Sequence, residues 1–118
     1  MAVERMLMEK NDGVRLDRWL WSARFFKTRQ NAADAVRSGR VLINEQRTKP
    51  AKTVRTGDKL QIRKAAFRYL IEVTVLTEKR VGPAIAASLY RESDESLQAR
   101  RTLQEQMKAQ RSSTRIQK

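Results

Sequence analysis

The sequence predicts an α+β fold, with helices at its two ends and a small antiparallel sheet between them. Residues 16–23 and 29–38 repeat apolar or alanine side chains at the spacing of a helix. Residues 59–63 and 68–75 alternate apolar and polar side chains, as half-buried strands do. At 118 residues the chain has the length of a single domain.

The first predicted helix has one apolar face and one mixed face. Side chains three or four residues apart form the apolar face: Leu16, Trp19, Leu20 and Ala23. Arg18, Trp21 and Phe25 fall on the other side of the same helical wheel. The first face is expected in the core, so the mixed face must contact another part of the chain or a partner.

The second predicted helix runs from Arg29 to Ser38. Thr28 is a suitable N-cap, and Gly39 is suited to the position just past the last turn. The face expected to be buried consists of small or apolar side chains: Ala32, Ala33, Ala35 and Val36. The face expected in solvent carries Gln30, Asp34 and Arg37. The alanines would allow the two helices to approach closely.

The middle of the chain predicts the strands. Residues 41–43 are rich in β-branched side chains, and Asn44 favours a turn after them. A second strand is expected around residues 46–48. The alternating stretches 59–63 and 68–75 then supply two longer strands.

The C-terminal part is expected to be helical and largely exposed. Pro83 suits the first position of a short helix, and Ser93 suits the N-cap of a longer one. The apolar residues of this longer helix, Leu97, Leu103 and Met107, are too sparse for a core helix. The predicted divisions are a polar leader (1–13), the main domain (14–76), a C-terminal helical extension (77–110) and a disordered tail (111–118).

Charge gives the first indication of a partner. Lys and Arg number 26 against 13 acidic residues, a formal net charge of +13. Between Arg15 and Arg55 there are eleven basic and three acidic residues, so most of the excess lies on the helix pair and the segment after it. A polyanion such as RNA or DNA is the natural partner. A membrane surface is a weaker candidate, because the sequence shows no lipidation signal and no basic helix with a continuous apolar face.

The absence of two residue types excludes several kinds of catalytic and metal-binding sites. The chain contains no Cys and no His, which excludes disulfides, thiolate nucleophiles, Cys/His zinc sites and acid–base catalysis by histidine. No carboxylate pair or glycine-rich phosphate loop is recognisable. We therefore expect no catalytic residue, no metal and no cofactor. The start of the chain has no apolar run of signal-peptide length, which predicts a cytoplasmic protein.

Three stretches resemble a known family. "RLDRWLW", "ARFFKTRQNA" and "AVRSGRVLIN" are similar to the αL RNA-binding domain, also called the S-four type. "RLDRWLWSARFFKTR", "RTKPAKTV" and "ASLYRESDES" are similar to the ribosome-associated heat shock protein 15 family, and the resemblance covers roughly residues 14–108. The sequence departs from the usual pattern at Glu45, where a glycine commonly follows the asparagine.

The resemblance implies two packed helices against a small antiparallel sheet, with a C-terminal helical extension. It also implies binding to ribosomal RNA of the large subunit, and a stress-response role in rescuing subunits that carry a nascent chain on tRNA after aborted translation. Peptidyl-tRNA would be a possible second contact. The RNA-binding residues carried over by position are Arg15, Arg18, Lys27, Thr28, Arg29, Gln30, Arg37, Arg40, Lys49 and Lys52.

Several interpretations remain open at this point. Trp21 and Phe25 either pack under the C-terminal segment or stack on RNA, and packing is favoured because a small domain has few large apolar groups. Asp17 is more readily explained as a partner of a neighbouring base such as Arg24 than as a catalytic group. Besides a non-enzymatic RNA-binding monomer, the alternatives are a basic protein that binds RNA or DNA in general, such as duplex DNA, and, less favoured, an RNA-modifying accessory enzyme.

Overall fold

A computed structural model describes the backbone of residues 13–116 and the side chains of residues 13–111. The predicted α+β class is confirmed. The elements in chain order are β1 (Val14–Arg15), α1 (Leu16–Ser22), α2 (Arg29–Arg37), β2 (Val41–Ile43), β3 (Thr53–Val54), β4 (Lys59–Lys64), β5 (Phe67–Val73), α3 (Pro83–Ala86), a 3₁₀ turn (Ala87–Leu89), β6 (Tyr90–Glu92) and α4 (Asp94–Ile116).

Two antiparallel sheets cover the helix pair. The main sheet has the strand order β2-β4-β5-β6, and a two-stranded ribbon pairs β1 with β3. The buried core lies between the inner face of the main sheet and the apolar faces of α1 and α2. All four residues predicted on the apolar face of α1 and all four predicted on the buried face of α2 are buried. No helix within residues 13–116 is long and apolar enough to cross a lipid bilayer.

The first helix ends at Ser22, before the position of Phe25 on the predicted helical wheel, so Phe25 is not part of that helix. Arg24 has a φ of 65°, and the N–H of Phe25 donates to the carbonyl of Leu20 at 3.0 Å, an arrangement typical of a helix C-terminus. The chain reverses there and turns Phe25 into the core, where its ring lies 4.8 Å from that of Tyr90. Placing Phe25 on the mixed face was therefore wrong, whereas its packing against the C-terminal segment is confirmed.

The segment between β5 and α3, residues 74–82, crosses the end of α1 and is called the strap here. Trp19 donates from Nε1 to the Val75 carbonyl at 2.9 Å. The Arg80 guanidinium lies 5.9 Å from the centre of the Trp21 ring, so Trp21 also contacts the C-terminal part of the chain. The strap accounts for the mixed face of α1 without a ligand.

Three further predictions about elements need correction. The strand expected at residues 46–48 is a single bridge between Ile43 and Gln46, because Asn44 and Glu45 both have positive φ and turn the chain sharply. The short helix expected from Pro83 ends already at Ala86, and the 3₁₀ turn and β6 follow it. The helix α4, capped by the Ser93 hydroxyl as predicted, continues to Ile116, so the expected tail is helical to that point. Most of the predicted leader, residues 1–12, lies outside the described residues.

Candidate nucleic-acid interface

The N-terminus of α2 is capped as the sequence predicts. Thr28 has an extended backbone, and its Oγ1 accepts a hydrogen bond from the N–H of Asn31 at 3.0 Å. The N–H groups of Arg29 and Gln30 lie in the first turn, where a helix offers them no internal acceptor. Lys27, Thr28 and Gln30 are exposed beside them, so a cationic side chain lies in solvent next to the start of the helix.

A buried carboxylate joins two of the predicted arginines. Asp17 accepts hydrogen bonds from both Nε and Nη2 of Arg15 at 3.1 Å, and its Oδ1 lies 3.7 Å from Nη2 of Arg29. The Asp17 side chain is 7% exposed, whereas those of Arg15 and Arg29 are 52% and 42% exposed. The acid is thus enclosed while both arginine side chains are partly exposed, although Nε of Arg29 is buried with no hydrogen-bond partner among the described residues. We call these three residues the Asp17 cluster.

The electrostatics of the cluster favour the ionised acid. Burial raises the pKa of Asp17, but the hydrogen bonds from Arg15 and the charges of Arg15 and Arg29 outweigh burial and leave that pKa below its ordinary value. The same hydrogen bonds raise the pKa of Arg15. At 3.7 Å the Arg29 contact is an ion pair and not a hydrogen bond, so Asp17 does not use up the donors of Arg29.

The expectation that Asp17 pairs with Arg24 was wrong. Arg24 donates instead to the Val81 carbonyl of the strap at 3.2 Å. The actual partners come from β1 and from the start of α2, and the pairing with Arg29 depends on how the two helices pack. The spacing of residues along the sequence gives no indication of the Asp17–Arg29 pair.

The loop before β3, which carries two predicted lysines, is hydrogen-bonded to the start of α1. The N–H of Leu16 donates to the Lys52 carbonyl at 2.8 Å, and the N–H of Asp17 donates to the Pro50 carbonyl at 3.1 Å. These bonds satisfy the first N–H groups of α1 and fix the loop against it. The predicted RNA-binding residues Lys49 and Lys52 are both exposed on this loop.

A second group of cations lies at the C-terminus of α2. Arg37 pairs with Asp34 at 3.1 Å, and Arg40 donates from Nε to the Ser38 hydroxyl at 2.9 Å. Arg47, which was not among the predicted residues, donates from Nη2 to the Arg37 carbonyl at 3.0 Å. A cation bound at the end of a helix is favourable, but the separation of ten positions hides this contact from sequence patterns.

Arg18 stands apart from both groups. Its Nη1 lies 3.9 Å from a carboxylate oxygen of Glu78 in the strap, and its Nε is buried with no hydrogen-bond partner among the described residues. The structure thus brings most of the predicted residues to the two ends of α2 and turns Arg18 towards the strap. Within the described residues no group of three or more acidic side chains is placed to hold a metal ion.

Comparisons with known proteins identify the domain in which these residues lie. Residues 14–60, which contain the Asp17 cluster and α2, match the family described as the S4 domain. The chain is 39% identical over 92 residues to the heat shock protein 15 homolog of Aeromonas salmonicida, an alignment that covers 78% of this chain and 70% of that relative. It is 42% identical over 87 residues to heat shock protein 15 of Escherichia coli K12, covering 74% and 65% of the two chains.

A solved structure is also similar. It is described as a trimeric structure of heat shock protein 15 from Vibrio cholerae at 2.3 Angstrom resolution, and it shares 40% sequence identity with this chain at a TM-score of 0.74. The match covers 76% of this chain and 91% of the other. The monomer expected from the sequence finds no support in this relative.

Proposed function

This chain belongs to the heat shock protein 15 family of RNA-binding, S4-domain proteins, and we propose that it binds ribosomal RNA on the large ribosomal subunit. We further propose that it acts in the cytoplasm on subunits that still carry a nascent chain on tRNA after translation has aborted. The chain spans 65% of the length of its Escherichia coli relative, so the activity of the whole relative is extended to it as part of the proposal.

The observation that carries the proposal is the Asp17 cluster. Structured RNA is recognised largely through its shape and backbone, and guanidinium groups bind phosphates through two parallel hydrogen bonds. Such recognition is strongest when the arginines are held before the ligand arrives, because less side-chain freedom is lost on binding. Asp17 supplies that restraint for Arg15 and Arg29 at the same time.

The surroundings of the cluster favour a phosphate backbone. Lys49 and Lys52 on the adjoining loop add two exposed cations, and Lys27 adds a third beside the start of α2. The first N–H groups of a helix have no acceptor within the helix and suit an anion, and the helix dipole has its positive end there. These features need no particular base sequence, as expected for a protein that recognises a folded RNA.

Co-sedimentation with purified large ribosomal subunits tests the proposal. Empty subunits are compared with subunits carrying a nascent chain on tRNA, at one moderate salt concentration. Preferential binding to the loaded subunits is the result expected for a rescue role. Equal binding to both would contradict the rescue role, and the protein would then bind large subunits without regard to a nascent chain. Binding to neither would overturn the proposal.

Salt dependence separates RNA recognition from other modes of binding. If about five phosphates are engaged, the logarithm of the binding constant should fall with the logarithm of salt concentration with a slope of about −4. A flat response would contradict phosphate binding. Equal affinity for duplex DNA and ribosomal RNA at the same salt would favour a general nucleic-acid-binding protein instead.

The assembly state forms a second part of the proposal. Because the Vibrio cholerae relative is described as trimeric, we propose that this chain also self-associates, in place of the monomer expected from the sequence. Light scattering on the eluting protein should then give a mass above the 13.7 kDa of one chain. A mass of 13.7 kDa at all concentrations would restore the monomer.

A further inference from the structure

Three arginines lie in one row across the main sheet. Arg63 and Arg68 are directly opposite each other in the β4–β5 pairing. Arg40 immediately precedes β2, and its carbonyl accepts the Arg63 N–H at 2.8 Å, which continues the same row on the other side of β4. We call Arg40, Arg63 and Arg68 the arginine row.

The arginine row lies on the outer face of the sheet. Val41 and Ile62, which neighbour Arg40 and Arg63 in the chain, are buried in the core. Side chains alternate between the two faces of a strand, so the arginines adjacent to core residues point away from the core. Arg40, Arg63 and Arg68 are all exposed, in agreement with this alternation.

The charges of the row are not neutralised by the part of the chain that is described. Arg40 donates to the uncharged Ser38 hydroxyl, and no described carboxylate lies within ion-pairing distance of Arg63 or Arg68. Like charges directly opposite each other on a sheet disfavour the pairing. The folded chain therefore retains a local repulsion that an anionic partner would relieve.

The other end of the same face is different. Lys59 is opposite Glu72 in the β4–β5 pairing, and Glu72 is opposite Arg91 in the β5–β6 pairing. That row places an acid between two bases. The sheet face therefore has one end that is purely cationic and one end where both signs of charge occur, and only the first suits a polyanion.

We propose that the arginine row is a second RNA-binding surface, which binds backbone phosphates and continues the surface at the C-terminus of α2. Arg40 belongs to both, since it lies three residues after Arg37, the last residue of α2, and begins the row. Arg63 and Arg68 lie beyond residues 14–60, the part that matches the S4 domain. The inference rests on the proposed RNA-binding function and extends it to residues outside that domain match.

RNA fits the row better than a membrane or a protein does. Three guanidinium groups on neighbouring strands, which are about 4.8 Å apart, offer paired donors to successive backbone phosphates. A membrane surface would also require a substantial apolar face for insertion. Within the row the side chains are all charged, and continuity with Arg40 places the row beside cations that we propose to bind RNA.

A pair of charge-matched double variants tests the second surface. Arg63→Gln/Arg68→Gln removes two charges from the row, and Lys59→Gln/Arg91→Gln removes two charges from the mixed end of the same sheet. Binding to purified large-subunit ribosomal RNA is measured over a series of KCl concentrations. The first variant should bind about tenfold more weakly, with the salt slope reduced in magnitude by about 1.4 to 1.8, and the second should stay within about twofold of the wild type.

Each other result has a definite meaning. Equal losses in the two double variants would show an effect of net charge alone and would overturn the second surface. Wild-type affinity in the Arg63→Gln/Arg68→Gln variant would also overturn it, and weaker binding of that variant to phosphatidylserine vesicles would then assign the row to a membrane. Failure of the wild-type protein to bind this RNA would overturn the proposed function itself.

The melting temperature of each variant shows whether a loss of RNA binding could come from a loss of folding. Removing directly opposed like charges should leave the melting temperature of the Arg63→Gln/Arg68→Gln variant equal to or above that of the wild type. If the double variant melts lower, the single Arg68→Gln variant is used, because its side chain is exposed and has no ion-pair partner among the described residues. Its salt slope should fall in magnitude by about 0.7 to 0.9, and an unchanged slope would overturn the inference.

Discussion

The guanidinium of Arg29 lies 3.7 Å from the carboxylate of Asp17, although the two residues belong to different helices. Asp17 is in the first turn of α1, and Arg29 begins α2. Their contact therefore brings the N-termini of both helices to one place. Because Arg15 binds the same carboxylate, one buried acid positions two solvent-exposed cations.

Replacing Asp17 by Asn should weaken both the fold and RNA binding. Asn keeps the shape but has one acceptor oxygen and no charge, so we expect a loss of about 1 to 2 kcal/mol in the free energy of unfolding. RNA affinity should fall about fivefold, because Arg15 and Arg29 lose the restraint that orients them. Urea unfolding and RNA titration measure the two effects separately.

The triple variant Arg15→Ala/Asp17→Asn/Arg29→Ala provides the control. If Asp17 acts on RNA only through the two arginines, adding Asp17→Asn to the Arg15→Ala/Arg29→Ala variant should leave RNA affinity unchanged. A further fivefold loss in that background would mean that Asp17 affects RNA by another route.

The stability contributed by Asp17 should depend on pH. Burial raises the pKa of Asp17, but its arginine partners lower that pKa by more than burial raises it. The folded-state pKa is therefore below the ordinary value of 3.8. A lowered folded-state pKa stabilises the fold above the unfolded value and ceases to do so as pH falls through the folded value. The difference in melting temperature between wild type and Asp17→Asn should thus be constant from pH 5 to 7 and shrink below about pH 4. A constant difference down to pH 2 would contradict this assignment.

Arg29 and Arg37 should contribute differently although both were predicted to bind RNA. Arg37 forms a surface pair with Asp34 and is 60% exposed, so Arg37→Ala should leave the melting temperature nearly unchanged. Arg29→Ala removes one partner of the buried Asp17 and should cost about 1 kcal/mol. RNA affinity should fall in both single variants and by about tenfold or more in the double variant.

Lys59→Ala/Arg91→Ala is the matched control for this pair, since it removes the same charge from the mixed end of the sheet. Its RNA affinity should remain close to that of the wild type. If the control loses as much affinity as the Arg29→Ala/Arg37→Ala variant, the α2 surface has no special role.

The two helices were predictable because their signals are local. The apolar spacing of α1, the Thr28 cap and the Gly39 stop all lie within a few residues of the elements that they define. Gly39 has a φ of 82°, a left-handed conformation that glycine adopts without strain at the end of a helix.

The short strands β1, β3 and β6 were not predictable because they pair with distant parts of the chain. The two residues of β1 pair with Thr53 and Val54, nearly forty positions away, and β6 pairs with the end of β5. The two or three residues of β1, β3 and β6 contain too little alternation to identify a strand, whereas the β-branched residues 41–43 did predict β2. The same distance effect concealed the Asp17–Arg29 pair and Arg47, whereas exposed cations within α2 itself were found from the sequence.

The hydrogen bond from Trp19 to the strap should be worth more than the contacts of Trp21. Trp19 is fully buried and donates to the Val75 carbonyl, so Trp19→Phe leaves that carbonyl unpaired and a small void in the core. We expect a loss of about 2 to 3 kcal/mol. Trp21 is half-buried under Arg80, and Trp21→Phe should cost less than about 1 kcal/mol. Urea unfolding of both variants checks the order, and a larger loss for Trp21→Phe would contradict the role of the strap.

Helix α4 should be held to the sheet by Glu92 and Arg100. Their side chains are 13% and 16% exposed, Nη2 of Arg100 donates to Oε1 of Glu92 at 2.9 Å, and the guanidinium stacks 4.5 Å from the centre of the Tyr69 ring. The hydrogen bond with Glu92 also raises the pKa of Arg100. Glu92→Gln would leave the largely enclosed Arg100 cation without its counter-charge, at a cost of about 2 kcal/mol.

Hydrogen exchange locates that loss. The amides at the start of α4 should exchange faster in Glu92→Gln, while those of α1 and α2 should lose less protection, since local opening requires less free energy than global unfolding. Glu105→Gln, a change on the exposed part of the same helix, should leave the pattern unaltered. In the double variant Glu92→Met/Arg100→Met no charge is left unpaired, so protection at the start of α4 should recover. If Glu92→Gln and Glu105→Gln exchange alike, the helix is held by its apolar contacts and not by the ion pair.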